Sequence, residues 1–131
     1  MTPFPHVLRS TKTLAEAHDA MAAKGVNHLP VIHDGAVAGL LARRELDVAL
    51  QLGRDDLSVW ELCLRNPVVV DLNERLDRVA TRMADRRLGV AIVTREEKVV
   101  GIITPTDLCR LWGEALRAQA GVDDDDGGDV A

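Results

Sequence analysis

The segment VAIVTREEKVVGIITPTDL, Val90 to Leu108, carries the architecture of this chain, because an earlier version of it, HLPVIHDGAVAGLLARREL, runs from His28 to Leu46. Each version reads as a β-rich apolar run, a turn, a second apolar run and the start of a helix. In the earlier one Asp34-Gly35 sits between the runs, a strong hairpin signal; in the later one Arg95-Glu96-Glu97 makes the turn. The offset is 62 residues without a gap. Extended in both directions, it pairs Pro5 with Pro67, Val7 with Val69, Leu14 with Leu76, Met21 with Met83 and Ala22 with Ala84. Inside the segment it pairs Val31 with Val93, Val37 with Val99, Gly39 with Gly101 and Leu46 with Leu108. These nine identities fall within 42 residues, Pro5 to Leu46, and Leu40/Ile102, Leu41/Ile103 and Glu45/Asp107 add similar pairs in the same register. The chain is two copies of one unit.

Each unit spells β-α-β-β-α. Val68 to Val70 is a short apolar strand. Leu76, Val79, Ala80 and Met83 then fall at helical spacing, as do Leu14, Ala17, His18 and Met21 in the first copy. The hairpin strands are His28–Ile32 with Ala36–Leu41, and Val90–Val93 with Val99–Ile103. Closing helices run from Arg43 to about Leu52 and from Pro105 to about Leu116. The expected organisation is a first repeat over 1–55, a linker over 56–66, a second repeat over 67–118 and an acidic, disordered tail over 119–131. Within the linker, Asp56 or Ser58 starts a short helix that lays Trp60 and Leu62 on the body. A unit of this size buries too little surface alone. The expected fold is therefore α+β, with the repeats related by a pseudo-twofold axis, sheets at the centre and helices outside. That packing makes two related clefts where strand ends and helix N-termini meet.

Composition narrows the function. The chain has 131 residues, of which 47% are hydrophobic and 28% charged, a globular balance. Its apolar runs, such as Ala36 to Ala42, are too short to span a bilayer. The start, MTPFPHVLRSTK, contains no apolar signal core, so a cytoplasmic location is expected. There Cys63 and Cys109 are free thiols, with Cys109 at an apolar-compatible core position of the last helix. Lys plus Arg number 16 and Asp plus Glu 21, giving −5. Five of the acids (Asp123 to Asp126 and Asp129) lie in the last nine residues, so the body is neutral. A neutral body with an acidic tail is a poor match for DNA or RNA. With three aromatic residues in the chain, no base-stacking platform is evident either, and Trp60 and Trp112 read as packing or dimer contacts. His6, His18, His28 and His33 are scattered, without the convergence a metal needs. No nucleophile has a legible base partner and no glycine-rich phosphate loop exists, so the reading is not an enzyme.

The chemistry concentrates in Gly101-Ile102-Ile103-Thr104-Pro105-Thr106-Asp107, a strand end running into a helix start. Two readings fit. Thr104 as N-cap, Pro105 at the first helical position and Asp107 two further on form a capping box that needs no ligand. The same geometry points a hydroxyl, free N–H groups suited to phosphate, and a carboxylate able to accept from both hydroxyls of a ribose into the cleft.

This G-x-x-T-x-x-D pattern after a hairpin, in a β-α-β-β-α unit occurring twice, resembles a cystathionine-β-synthase (CBS) domain pair, or Bateman module. Val26-Asn27-His28-Leu29-Pro30-Val31-Ile32 followed by Gly39-Leu40-Leu41 is similar to the family's other marker segment. The resemblance covers about residues 5–117. It implies a regulatory module that requires no cofactor and senses an adenosine-containing ligand: AMP, ADP, ATP or S-adenosylmethionine. It places the ribose-binding carboxylate on Asp107 and the phosphate-facing hydroxyl on Thr104, with Thr106 beside it. The adenine slot falls on Val68, Val69, Leu88, Gly89, Val90, Ala91 and Ile102, with Cys63 and Leu64 as a lid. Phosphate contacts from the opposite repeat fall on Asn27 and His28, where some relatives carry two basic residues. In the first copy Ala42 and Glu45 replace Thr104 and Asp107, and little chain precedes Pro5 to form a lid. One competent site is expected, or one strong and one weak. The resemblance further implies a stand-alone pair that homodimerises through its helices and acts on an effector protein. The alternative is a structural dimerisation module in which Thr104 and Asp107 only cap.

Overall fold

The computed structural model describes residues 6–121 and the backbone of the two-residue strand β1 (Thr2–Pro3). The first repeat follows as β2 (Leu8–Arg9), α1 (Leu14–Lys24), β3 (His28–His33), β4 (Ala36–Ala42) and α2 (Arg43–Gln51). The linker holds α3 (Val59–Leu62) and β5 (Leu64–Arg65). The second repeat is β6 (Val68–Asp71), α4 (Leu76–Arg86), β7 (Ala91–Arg95), β8 (Lys98–Ile103) and α5 (Pro105–Ala120). The β-α-β-β-α order recurs as the repeat requires, and Ser58 starts the linker helix through a complete capping box with Glu61. The last helix runs beyond Leu116 to Ala120, where Gly121 ends it in the left-handed conformation, φ 70°. The expected disordered tail of 119–131 therefore starts too early, since residues 119 and 120 belong to α5; its remainder from Val122 onward lies outside the described residues, as does Pro5.

Two four-stranded sheets form, ordered β2-β3-β4-β5 and β1-β8-β7-β6. Their registers repeat the 62-residue shift. Leu64 and Arg65 pair antiparallel with Leu40 and Gly39, while Thr2 and Pro3 pair with Ile102 and Gly101. The irregularity after Val31 in one hairpin recurs after Val93 in the other. The segment preceding each repeat therefore adds an edge strand to the other repeat's sheet, stitching the halves reciprocally. Two residues are too few to show alternation, so β1 and β5 carry no pattern in the sequence.

Alternation along the strands builds three apolar layers. Leu29, Val31 and Leu41 face α1 and α2 and pack with Leu14, Met21 and Leu46. Val68, Val70, Ala91, Val93 and Ile103 form the corresponding core with Val79 and Met83. The opposite faces meet at the centre, where Leu40, Val90, Ile92 and Ile102 bury one another with Val37, Val69 and Val99 around them. The sheets are central and the helices outside. Helix α5 contributes no buried residue. Cys109, placed in the core by its apolar spacing, is instead exposed; its face of α5 lines an open apolar groove with Leu76 and Ala80 of α4.

Candidate functional site

The pseudo-twofold axis brings two helix starts to equivalent places beside the inter-sheet layer. At the start of α5 the Thr104 hydroxyl accepts from the Asp107 N–H at 3.4 Å. The Thr104 N–H donates to Asp107 Oδ2 at 2.9 Å, and the Thr104 hydroxyl donates to the same oxygen at 3.2 Å. Both side chains are half-buried, and Thr106 beside them is exposed. The Thr104 N–H, then its hydroxyl and the Arg110 charge, hold the Asp107 carboxyl below its ordinary value. It is a carboxylate at neutral pH, with Oδ2 held by the Thr104 N–H and hydroxyl.

At the start of α2 the chemistry differs. Ala42 occupies the N-cap position and offers no side-chain bond. The carbonyl of Asn27 takes the first helical N–H, from Arg43, at 2.8 Å. Its counterpart Gly89 faces Pro105, which has no N–H to give. Glu45 is exposed and lies near half-buried His28. Burial pushes the His28 imidazole below its ordinary value, while the Glu45 charge acts in the opposite sense.

A cavity of about 530 Å³ opens here, lined by His28, Leu40, Ala42 and Glu45 of the first repeat, Leu62, Cys63 and Leu64 of the linker, and Leu88, Gly89 and Val90 of the second repeat. This volume is in the range of small-molecule sites. A neighbouring hollow of about 490 Å³ shares His28, Ala42 and Glu45 and continues to Asn27, Arg43, Arg44 and Asp47. The junction cavity thus gathers His28, Leu88, Gly89 and Val90 from the expected ligand set with the two lid residues. It sits against Glu45, the helix start read as the weaker one. Leu40 and Leu62 join it without having been expected to line a ligand site: Leu40 was read as the counterpart of Ile102, and Leu62 as a packing residue of the linker helix.

The remaining expected residues divide by depth. Ile102, Val69 and Val90 belong to the inter-sheet layer. Val68 and Ala91 pair across β6 and β7 with their side chains in the second repeat's core, leaving only their main chain for a cleft. Asn27 is exposed. The Cys63 thiol is raised by burial. It sits against Gly39, where a Cβ would lie 2.7 Å from the sulfur and 3.2 Å from the Leu64 carbonyl oxygen. Only glycine lets β5 approach β4 this closely. Among the described residues no cluster of three or more metal-type ligands occurs.

A chain with this duplicated topology and these paired helix starts is a tandem two-repeat α+β module. The CBS domain family matches it over residues 1–51 and 59–114, and the chain belongs to that family. CBS domain pairs are regulatory modules, and solved ones share this fold. A CBS domain pair crystallised with 5′-methylthioadenosine and S-adenosyl-L-methionine is 26% identical, with a TM-score of 0.73 over 88% of this chain and 93% of that one. L-aspartate semialdehyde sulfurtransferase of Methanocaldococcus jannaschii is 30% identical over 111 residues, covering 83% of this chain but 21% of the enzyme. Homoserine O-acetyltransferase of Methanosphaerula palustris is 26% identical over 109 residues, 82% of this chain and 22% of the enzyme. The chain therefore spans about a fifth of the length of these relatives. Among the described residues no helix is long and apolar enough to cross a membrane.

Proposed function

We propose that this chain is a sensor of an adenosine-containing ligand, AMP, ADP, ATP or S-adenosylmethionine, and that it adjusts the activity of a partner protein. The observation that carries the reading is the likeness to the CBS pair solved with S-adenosylmethionine and 5′-methylthioadenosine, in a chain whose α5 start presents an oriented, ionised Asp107. Asp107 accepts from the ribose hydroxyls, with Thr104 and Thr106 facing the phosphate or its replacement. Ile102, Val69 and Val90, with the main chain of Val68, Leu88, Gly89 and Ala91, bound the base. Asn27 and His28 reach from the other repeat. A ligand touching both repeats favours one angle between them, and that difference is what a partner reads. The chain binds and does not turn over its ligand.

The partner surface follows from α5. Leu76 of α4 and Leu108, Leu111 and Trp112 of α5 line an apolar groove of about 360 Å³, and Trp112 is 67% exposed. A second copy of the chain covers this face in the proposed homodimer. A second reading, a ligand-free dimerisation module, is favoured by one fact: the Thr104–Asp107 capping box is complete without any ligand.

Isothermal titration with AMP, ADP, ATP and S-adenosylmethionine separates the two. Sensing predicts saturable heat from at least one, weakened at least about tenfold by Asp107→Ala, the loss of a charge-assisted hydrogen-bonding partner. No heat from any of the four leaves the dimerisation module.

A further inference from the structure

The wall of the junction cavity made by Leu62, Cys63 and Leu64 is flanked in sequence by two residues that meet each other, Trp60 and Arg65. The Trp60 indole lies on the His33 imidazole with centroids 3.9 Å apart and planes within 4°. The Arg65 guanidinium also lies over the indole, 4.4 Å from the ring centroid. The main chain ties the same point. The Trp60 carbonyl accepts from Arg65 at 3.4 Å and from the Cys63 thiol at 3.5 Å. The Trp60 N–H donates to the Ser10 carbonyl at 3.1 Å, and the Ser10 hydroxyl bonds His33 Nδ1 at 2.9 Å. Segments on both sides of the wall are therefore pinned to β3 through one indole. Successive side chains of a strand face opposite ways, so Leu64 meets the cavity while Arg65 meets the indole, and neither moves alone.

At the other helix start the 62-residue shift puts Arg95 where His33 stands. The stack described here flanks the Glu45-side cavity. That cavity is mostly apolar and its lining includes the Glu45 carboxylate, while Arg43 and Arg44 lie in the neighbouring hollow, so the chemistry of the cavity itself fits an uncharged or cationic nucleoside.

We propose that Trp60 is the positioning residue of this second cleft. The His33–Trp60–Arg65 stack fixes the 62–64 wall, and through it the cleft's affinity for a nucleoside without phosphate. The inference rests on the reading that the junction clefts take adenosine-type ligands.

The test uses the full chain carrying Asp107→Ala and Trp112→Phe, so that the other cleft is weakened and Trp60 is the only indole. The probe is 5′-methylthioadenosine, followed by heat and by indole emission. Saturable heat with a parallel change in emission is expected. Arg65→Ala is expected to weaken binding about three- to tenfold, as residues that couple to a site do, and Arg65→Lys to recover most of the loss. Arg65 is exposed, and circular dichroism of each variant checks that the fold persists. Heat without an emission change, or equal affinity in Arg65→Ala, overturns the positioning role while leaving ligand binding intact. No saturable signal by either readout shows that this cavity takes no nucleoside and overturns the proposal, whereas binding at Asp107 is judged by its own titration.

Discussion

The two repeats share a fold and diverge at the helix start that meets the cleft. In the second, Thr104 and Asp107 close a capping box whose carboxyl is held below its ordinary value. In the first, Ala42 offers nothing, Glu45 stays in solvent and the Asn27 carbonyl satisfies the leading N–H instead. The assignment reverses at the other helix of each unit: Thr13 and Glu16 box α1, while α4 begins at Arg75 without a side-chain cap. Duplication conserves what the layers require, the apolar positions of the strands. It leaves the helix starts free to specialise, because a cap contributes only about 1 kcal/mol and several solutions supply it.

Substitutions that erase or transfer these differences test the comparison. The largest effect on stability is expected from Gly39→Ala, whose Cβ meets the Cys63 sulfur and the Leu64 carbonyl. It should cost about 1–3 kcal/mol in urea unfolding, the range for forced overpacking, and push out the 62–64 wall. Thr104→Ala should cost about 1 kcal/mol by the same measurement. The transfer Ala42→Thr with Glu45→Asp should raise stability by up to about 1 kcal/mol. It should also strengthen adenosine-ligand binding at the first cleft, seen as a second stoichiometric equivalent in titration. The hairpin turns differ too. Asp34 and Gly35 occupy the left-handed region at φ 52° and 81°, and so do Glu96 and Glu97 at φ 52° and 68°, where no glycine relieves the strain. Glu97→Gly should stabilise the second repeat by about 0.5–1 kcal/mol, less than the full left-handed penalty because glycine carries its own entropic cost.

The smallest effect is a pH dependence. The folded-state value of Asp107 is depressed, so its carboxylate stabilises the fold at pH above the ordinary aspartate range near about 4. That contribution fades as pH falls through the depressed value, because the unfolded chain then binds the proton more readily. The difference in melting temperature between the natural chain and Asp107→Asn should therefore be full at neutral pH and shrink in acid.

The sequence was most informative where chemistry is local. The Asp34-Gly35 turn, the Thr104 capping box and the short apolar run Val68 to Val70 each depend on neighbours a few residues away, and the 62-residue shift then supplied the topology. Individual long-range contacts were illegible. The two-residue strands β1 and β5 have no period to read. Cys109 has core-like spacing but lines an open groove between α4 and α5. The stacking of Trp60 with His33 and Arg65 joins residues whose proximity only the folded linker creates. At the candidate site, the Thr104–Asp107 pairing was readable from its spacing. The gathering of His28, Glu45, Cys63 and Leu88 around one cavity depends on how the repeats face each other.

The most direct test of the account compares ribose with 2′-deoxyribose. With the tightest of the four adenosine ligands, the natural chain should bind the ribo form at least about tenfold better than its 2′-deoxy counterpart, since a site built to hold a hydroxyl rejects the analogue lacking it. Asp107→Ala should bind both equally. Equal affinity of the natural chain for the two forms would contradict the claim that this carboxylate clasps the sugar.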